Sequence, residues 1–289
     1  MVDAWASQVQ YRNHIQPIWD HLPDDVRGTF WQPPQRPQGS GLIVVASMHD
    51  LRKVHPRPAV FVEHGAGQTY IDNRTPAGYA GGPGRGTVRL FVCPNEEVAF
   101  KNRAAYPQAR VVVAGSPWVE HLSKIQRRPE LPAVSFHWNC RVSPEARTAW
   151  PHYQNLEGDF LGHGHPRMWG QLKRWWPTKG IEPVESFEDV IRRASVYVCD
   201  NSSTIYEAAA VGIPVVLLNA PWYRRNVWHG LRFWEHLPGP MVDRSEDVEQ
   251  AIDQAAEWYV DREQTTRAVY GTVEGSAERA AAAILELLT

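Results

Sequence analysis

The chain has 289 residues, of which 43% are hydrophobic and 21% charged, with a formal net charge of −2. That balance suits a globular protein with one large core or two ordinary ones, and it offers no basic run for a nucleic acid. No apolar run approaches the roughly 18 residues of a membrane span, and the amino end, with Asp3 and Gln8, lacks a signal-peptide core, so a cytoplasmic protein, or one peripheral at a membrane, is expected.

Residues 1 to about 30 carry Trp5, Val9, Ile15, Ile18 and Trp19 at near-helical spacing, which predicts one amphipathic helix ended by Pro33, Pro34 and Pro37. Leu42 to Ala46 and Ala59 to Val62 read as strands, the second running into Glu63-His64-Gly65. A histidine followed by glycine at a strand end can present its imidazole to a cleft, although a satisfied structural histidine is the commoner explanation of that pair alone. The glycine- and proline-rich residues 69–86 read equally well as a flap or as a surface loop, and no Gly-Lys-Ser or Gly-Lys-Thr follows to make a phosphate loop. Arg89 to Cys93, Glu96 to Tyr106 and Arg110 to Ala114 then read as strand, helix, strand, a parallel βαβ unit that ends in Gly115-Ser116-Pro117.

The polar, proline-interrupted residues 124–132 predict a linker between an amino-terminal domain, 1–123, and a carboxyl-terminal one, 133–289, whose last helix can pack back on the first. Ala133 to Trp138 is a strand, Pro144 to His152 a helix, and Asp159 to Leu161 a short strand leading into Gly162-His163-Gly164-His165-Pro166-Arg167. Gln171 to Lys179 reads as a solvated basic loop. Ser195 to Cys199 is a buried strand, followed by the polar turn Asp200-Asn201-Ser202-Ser203-Thr204, a helix over 205–211, and a further strand at Val215 to Leu218. An aromatic and basic loop follows at 221–234, then a helix from Ser245 to about Tyr259 and an alanine-rich one over Glu274 to Leu288.

Two signals overlap in the polar turn. Helix-start amides and hydroxyls can complete a phosphate cradle at the positive end of the helix dipole. Thr204-Ile-Tyr-Glu207 also fits a capping box, with Thr204 as N-cap. Cys93, Cys140 and Cys199 form no Cys-x-x-Cys pair, so reduced thiols are expected. The 13 tryptophans suit core packing for the most part, while those in loops suggest an aromatic-lined cleft.

Taken in order, His64-Gly65, Val92-Cys-Pro-Asn95, Val113-Ala-Gly115-Ser116-Pro117 with His121-Leu122, His165-Pro166, and Cys199-Asp200-Asn-Ser202-Ser203-Thr204 with Glu207 resemble the CDP-glycerol glycerophosphotransferases of teichoic acid synthesis. More broadly they resemble nucleotide-dependent transferases of the GT-B fold. The resemblance spans about residues 40–220. It implies an α/β, GT-B-like chain with two Rossmann-like domains facing an interdomain cleft. It further implies transfer of a glycosyl or glycerol-phosphate group from a CDP- or UDP-linked donor to an acceptor hydroxyl.

His64 matches the family's proposed general base and His165 its second essential histidine. Ser202, Ser203 and Thr204 match the hydroxyls that hold the diphosphate, Glu207 the ribose-binding carboxylate, and Gly65, Gly115, Ser116, Arg167 and Asp200 complete the donor side. No cofactor and no metal are expected, the donor being a substrate. The acceptor is a glycan, a polyol phosphate or a protein. Asp-Asn-Ser in place of Asp-Tyr-Ser, Glu207 in place of aspartate and Ser-Pro-Trp in place of Pro-Arg leave both donor classes open. Other readings are a non-catalytic nucleotide-binding module of the same shape, a nucleotide-sugar 2-epimerase, and a metal hydrolase using His163 and His165.

Overall fold

A computed structural model describes residues 1–66, 85–139, 147–223 and 237–289. Cys140, all but the end of the expected flap at 69–86, and most of the aromatic loop at 221–234 lie outside the described residues. The chain divides into two compact units, Met1–His121 with Val269–Thr289, and Leu122–Ala268.

The first unit is built on a parallel sheet of six strands, β1 (Val2–Trp5), β2 (Arg27–Trp31), β3 (Ile43–Val45), β4 (Ala59–Val62), β5 (Val88–Cys93) and β6 (Arg110–Val113), in the order β2-β1-β3-β4-β5-β6. The amino-terminal segment, expected as one helix, is strand, helix and strand: β1, then α1 (Val9–Asp20), then β2. Sheet pairing overrode the helical spacing there, because Val2 and Ala4 point into one core and Trp5 into the other.

The period of two in a buried strand assigns each core its residues. Val60 and Val62 face the cluster under α1 and α10 (Ser276–Leu285), with Ile15, Ile18, Ala280 and Ile284. Ala59 and Phe61 face the opposite cluster with Leu51 of α2 (Met48–Val54) and Val98 and Ala99 of α3 (Glu96–Ala105). A side chain as large as Phe61, 2% exposed, stabilises by about 1.5–3 kcal/mol through burial alone.

The last helix belongs to this unit through specific contacts. The amide of Ala277 at its start donates to Glu120 at 2.9 Å, and Arg279 donates twice to the carbonyl of Ala114, at 3.1 and 2.8 Å. Gly115 sits at φ 84° with the chain so close that a Cβ would meet Ser276 Oγ and the Thr272 carbonyl at 2.5 Å. Ser116 Oγ accepts from the amide of Val119 at 3.3 Å, at the start of α4 (Pro117–Ser123). Of these two residues expected on the donor side, Gly115 admits the last helix and Ser116 caps α4.

The second unit repeats the plan. Its strands are β7 (Leu131–Phe136), β8 (Leu161–Gly164), β9 (Glu182–Pro183), β10 (Ala194–Cys199), β11 (Val215–Leu218) and β12 (Met241–Val242), all parallel, in the order β12-β11-β10-β7-β8-β9. Read from the other edge this is the doubly wound order 3-2-1-4-5-6, which reverses between β7 and β10.

The expected linker is part of this unit. Arg127 donates to the carbonyl of Ala194 at 2.9 Å, and the amides of Arg128 and Glu130 donate to Arg192 and Arg193 at 2.7 and 2.8 Å. The expected basic loop at 171–179 continues α5 (Pro166–Trp175) and closes in a single 3-10 turn at Trp176–Lys179, because Leu172 and Trp176 bury completely in the core. Of the helix expected at 144–152, the described residues show a 3-10 turn at Trp150–His152.

β8 begins two residues later than expected and contains His163 rather than ending before it. A Cβ on Gly162 would lie 2.5 Å from the ring of Trp176, and one on Gly164 would lie 2.2 Å from Leu172. The two glycines let α5 and its 3-10 turn close on one face of the strand, which leaves His163 to the other face.

Candidate functional site

In open parallel sheets, ligands bind beyond the carboxyl ends of the strands where the strand order reverses. Each unit has such a point, and each gathers histidines there.

In the first unit the reversal lies between β1 and β3. Asp50, fully buried on α2, accepts from Trp5 Nε1 and from the amide of Ser7, both at 3.1 Å, so the end of β1 is tied to the helix that follows β3. Ser47 caps α2 through the amide of Asp50 at 3.0 Å. α1 leaves from the same place and presents Tyr11 and His14, three residues apart and so on one face.

His64 follows β4 and meets both, with ring centroids at 5.3 Å from Tyr11 and 6.0 Å from His14. Gly65 turns the chain away at φ 62°. One ring nitrogen of His64 bonds the backbone of Ala46, an interaction that raises its pKa, as does the Asp50 charge; burial outweighs both, and the net shift is downward. His64 nevertheless keeps exposed surface. A ring set into a crowded shelf and open on one side reconciles the two observations. His14 is driven to about 3, first by burial and then by the His64 charge. Trp118, stacked on His121 at 5.2 Å, closes the group 6.0 Å from His14.

In the second unit the reversal lies between β7 and β10, and Asp200 occupies it. Its Oδ1 accepts from the amide of His137 at 2.7 Å, and its Oδ2 from the Thr148 hydroxyl at 3.1 Å and the Ala149 amide at 2.8 Å. Burial pushes its carboxyl up to about 6 against those hydrogen bonds. Asp200 is therefore a clamp on the strand ends, with its carboxylate fully buried.

What it holds is a ring cluster. His137 donates from Nδ1 to the Trp138 carbonyl at 3.0 Å and stands 5.1 Å from the ring of His165. Burial lowers His137 to about 4, helped by the Arg167 charge. His165 caps α5, accepting the Arg167 amide on Nδ1 at 3.1 Å, which places the hydrogen of the neutral ring on Nε2. The exposed Arg167 lays its guanidinium over Trp138 at 4.1 Å. His163, two residues before His165, bonds Ser135 instead and packs on Phe187 at 5.5 Å, so the two rings serve different surroundings. Among the described residues no group of three or more histidines, cysteines or acids is placed to hold a metal ion.

The expected capping box at α7 (Thr204–Ala210) does not form as written. Ser203 is the N-cap and uses no side-chain bond, while Thr204 is the first helical residue and turns its hydroxyl to Tyr197 and Ser202, at 2.8 and 2.9 Å. The buried tyrosine competed for the threonine. Ser202 and Ser203 are half-buried at the turn, and Glu207, on the same helix, is 3% exposed.

The structure thus brings together His64, His14, Tyr11 and Asp50 in one unit and His137, Trp138, His165, Arg167 and the serine turn in the other. His14 and His137 were missed by sequence. His137 stands directly after a buried strand, the signal that singled out His64; His14 lay inside a helix and carried none.

No family model matches the sequence, and neither does a curated protein. Solved structures match over almost the whole chain. The wall teichoic acid polymerase TagF, in a variant soaked with CDPG, aligns with a TM-score of 0.64 at 11% identity, covering 99% of this chain and 89% of that one. MnaA of S. aureus in complex with UDP aligns at 0.59 and 13%, covering 99% and 96%. A UDP-N-acetylglucosamine 2-epimerase aligns at 0.60 and 10%, also covering 99% and 96%. At these identities the likeness is one of fold, and that fold is GT-B, two Rossmann-like units in one chain.

Proposed function

We propose that this protein is a transferase that moves a glycosyl or glycerol-phosphate group from a nucleotide-diphosphate-activated donor to an acceptor hydroxyl. The observation that carries the reading is His64. It bonds the backbone of Ala46, burial holds its ring neutral, and the residue keeps exposed surface, which suits a base that takes a proton from an acceptor hydroxyl.

In the reaction, the acceptor oxygen forms a bond to the anomeric carbon or to the distal phosphorus of the donor while its proton passes to His64. The bond from that centre to the bridging phosphate oxygen breaks, and the electron pair leaves with the nucleotide, as the diphosphate after glycosyl transfer or as the monophosphate after transfer of glycerol phosphate. His165 Nε2–H, Arg167 and the hydroxyls at the β10 turn supply donors and positive charge for the departing phosphate, so the chemistry needs no metal. The solved structures of like fold with CDPG and with UDP support a nucleotide as the donor's handle.

The test is a thermal-shift screen with CDP, UDP, GDP and CDP-glycerol. A ligand at about 100 times its Kd adds about 2.7 kcal/mol to the folded state. One nucleotide raises the melting temperature, and His64→Ala keeps that rise while turnover falls at least about a hundredfold. A melting temperature unmoved by all four overturns the proposal. Release of an epimer from UDP-N-acetylglucosamine without acceptor would instead favour the epimerase reading that the other fold relatives suggest. Nucleotide binding with no turnover would leave a binding module.

A further inference from the structure

Trp138 carries a flat cation where the strand order of the second unit reverses. It follows the end of β7 by two residues, packs against the core of this unit and stays partly outside it. The Arg167 guanidinium lies over its ring at 4.1 Å. An exposed arginine ordinarily holds its charge in water or against a carboxylate, whereas this one covers the face of an indole and makes no ion pair among the described residues.

The two partners are held with unequal firmness. The Trp138 carbonyl accepts from His137 Nδ1 at 3.0 Å, the His137 amide donates to the buried Asp200 at 2.7 Å, and the ring of His165 flanks the indole at 5.8 Å. The Arg167 amide is tied to His165, but its side chain is exposed and turns about its own single bonds. The stack is therefore an exchangeable layer on a fixed platform. At 4.1 Å the guanidinium is in van der Waals contact with the ring, so another flat group reaches that face only by displacing it.

A ligand that displaces it has two needs to meet. It must offer the indole a flat ring in place of the guanidinium, and it must offer the guanidinium an oxyanion in place of the indole. A bare sugar supplies neither and a bare phosphate supplies only the second. A nucleoside diphosphate supplies both in one molecule.

We propose that Trp138 is the platform on which the base of the bound nucleotide stacks, and that Arg167 covers it in the free protein and exchanges the indole for the diphosphate when the nucleotide enters. The inference rests on the functional reading above for its ligand and on the Arg167–Trp138 stack for its place. Every base has a π-face, so the platform adds affinity without choosing among bases.

Two measurements test it. In proton spectra of the wild-type protein, the Arg167 side-chain signals, assigned by the resonances lost in Arg167→Lys, lie upfield under the indole ring current and move downfield on saturation with CDP or UDP. Signals at the ordinary arginine position in the free protein, or still upfield with nucleotide bound, overturn the exchange. Calorimetric titration then compares folded variants with CDP, UDP and inorganic pyrophosphate, which carries the phosphates without a base. Trp138→Leu weakens CDP and UDP by about tenfold, by the same factor for both, and leaves pyrophosphate unchanged, while Trp138→Phe restores most of the loss. Arg167→Ala weakens both nucleotides severalfold, and unchanged binding there overturns its part. Wild-type affinity for CDP and UDP in Trp138→Leu, or an equal loss of pyrophosphate, overturns the platform and leaves the functional reading intact. If neither nucleotide binds the wild type, the functional reading and the ligand of Trp138 fall together.

Discussion

At the scale of single residues, the two shelves use histidine in different ways. His14 and His137, 7% and 8% exposed, are held neutral by burial and pack against a neighbouring histidine. His64 and His165 retain surface and each has one nitrogen committed to the protein. Burial lowers the His64 pKa from its ordinary value of 6.5, so the ring remains a base at more acidic pH than a free imidazole would. The acid limb of kcat/KM against pH is therefore expected below 6.5, and a limb at or above that value would remove His64 as the base. Asp200 gives a prediction of another kind. Asp200→Ala leaves two buried amides and one hydroxyl without an acceptor, and a loss of about 3 kcal/mol or more is expected in denaturant titration. A loss under about 1 kcal/mol would mean that the clamp is dispensable.

Among the elements, β8 shows how packing decides what a motif means. Its Gly-His-Gly pattern reads from sequence as the residues after a strand, with His163 a metal ligand in one rival reading, yet both glycines admit bulky side chains of α5 and the turn after it. Gly162→Ala drives a methyl group into the Trp176 ring and is expected to cost about 1–3 kcal/mol, whereas Gly170→Ala, where a Cβ meets nothing within 4 Å, should be neutral or stabilising. Similar melting temperatures for the two variants would contradict the close approach. α10 supports the first unit in a comparable way, through Ala280, Ile284, the Ala277 amide on Glu120 and Arg279 on Ala114. A chain ending at residue 275 should lose the cooperative unfolding of the first unit, read by hydrogen exchange at β1 and β3, while β7 and β10 keep their protection.

For the molecule as a whole, the buried histidines set the response to acid. Burial lowers His14, His137 and His163 to about 3, 4 and 4 when folded, from an ordinary 6.5, so from 6.5 downward the unfolded chain binds protons that the folded one refuses. Their contribution is complete above 6.5 and is lost as the pH falls toward 4. Asp200 acts in the opposite sense. Its carboxyl takes a proton near 6 when folded and near 3.8 when not, so acid favours the folded state through that window. Three groups outweigh one, and the denaturation midpoint should fall between about pH 7 and pH 5, with a smaller fall in His14→Phe. A midpoint that rises on acidification would contradict the assignment.

What the sequence determined by itself follows from local chemistry. The β-branched runs at Val60, Val92 and Val198 declare buried parallel strands whatever their neighbours, and the polar residues after them, His64 and Asp200 to Thr204, mark carboxyl ends because a backbone leaving a sheet must turn there. Only the tertiary structure decided which strand lies beside which, and with it where the order reverses. That adjacency gave β1 to a sheet rather than a helix, set His14 against His64, turned Asp200 inward as a clamp, and took the Thr204 hydroxyl from its cap to Tyr197. Each of those outcomes is a competition between partners far apart in the chain, and spacing along the sequence does not record who wins it.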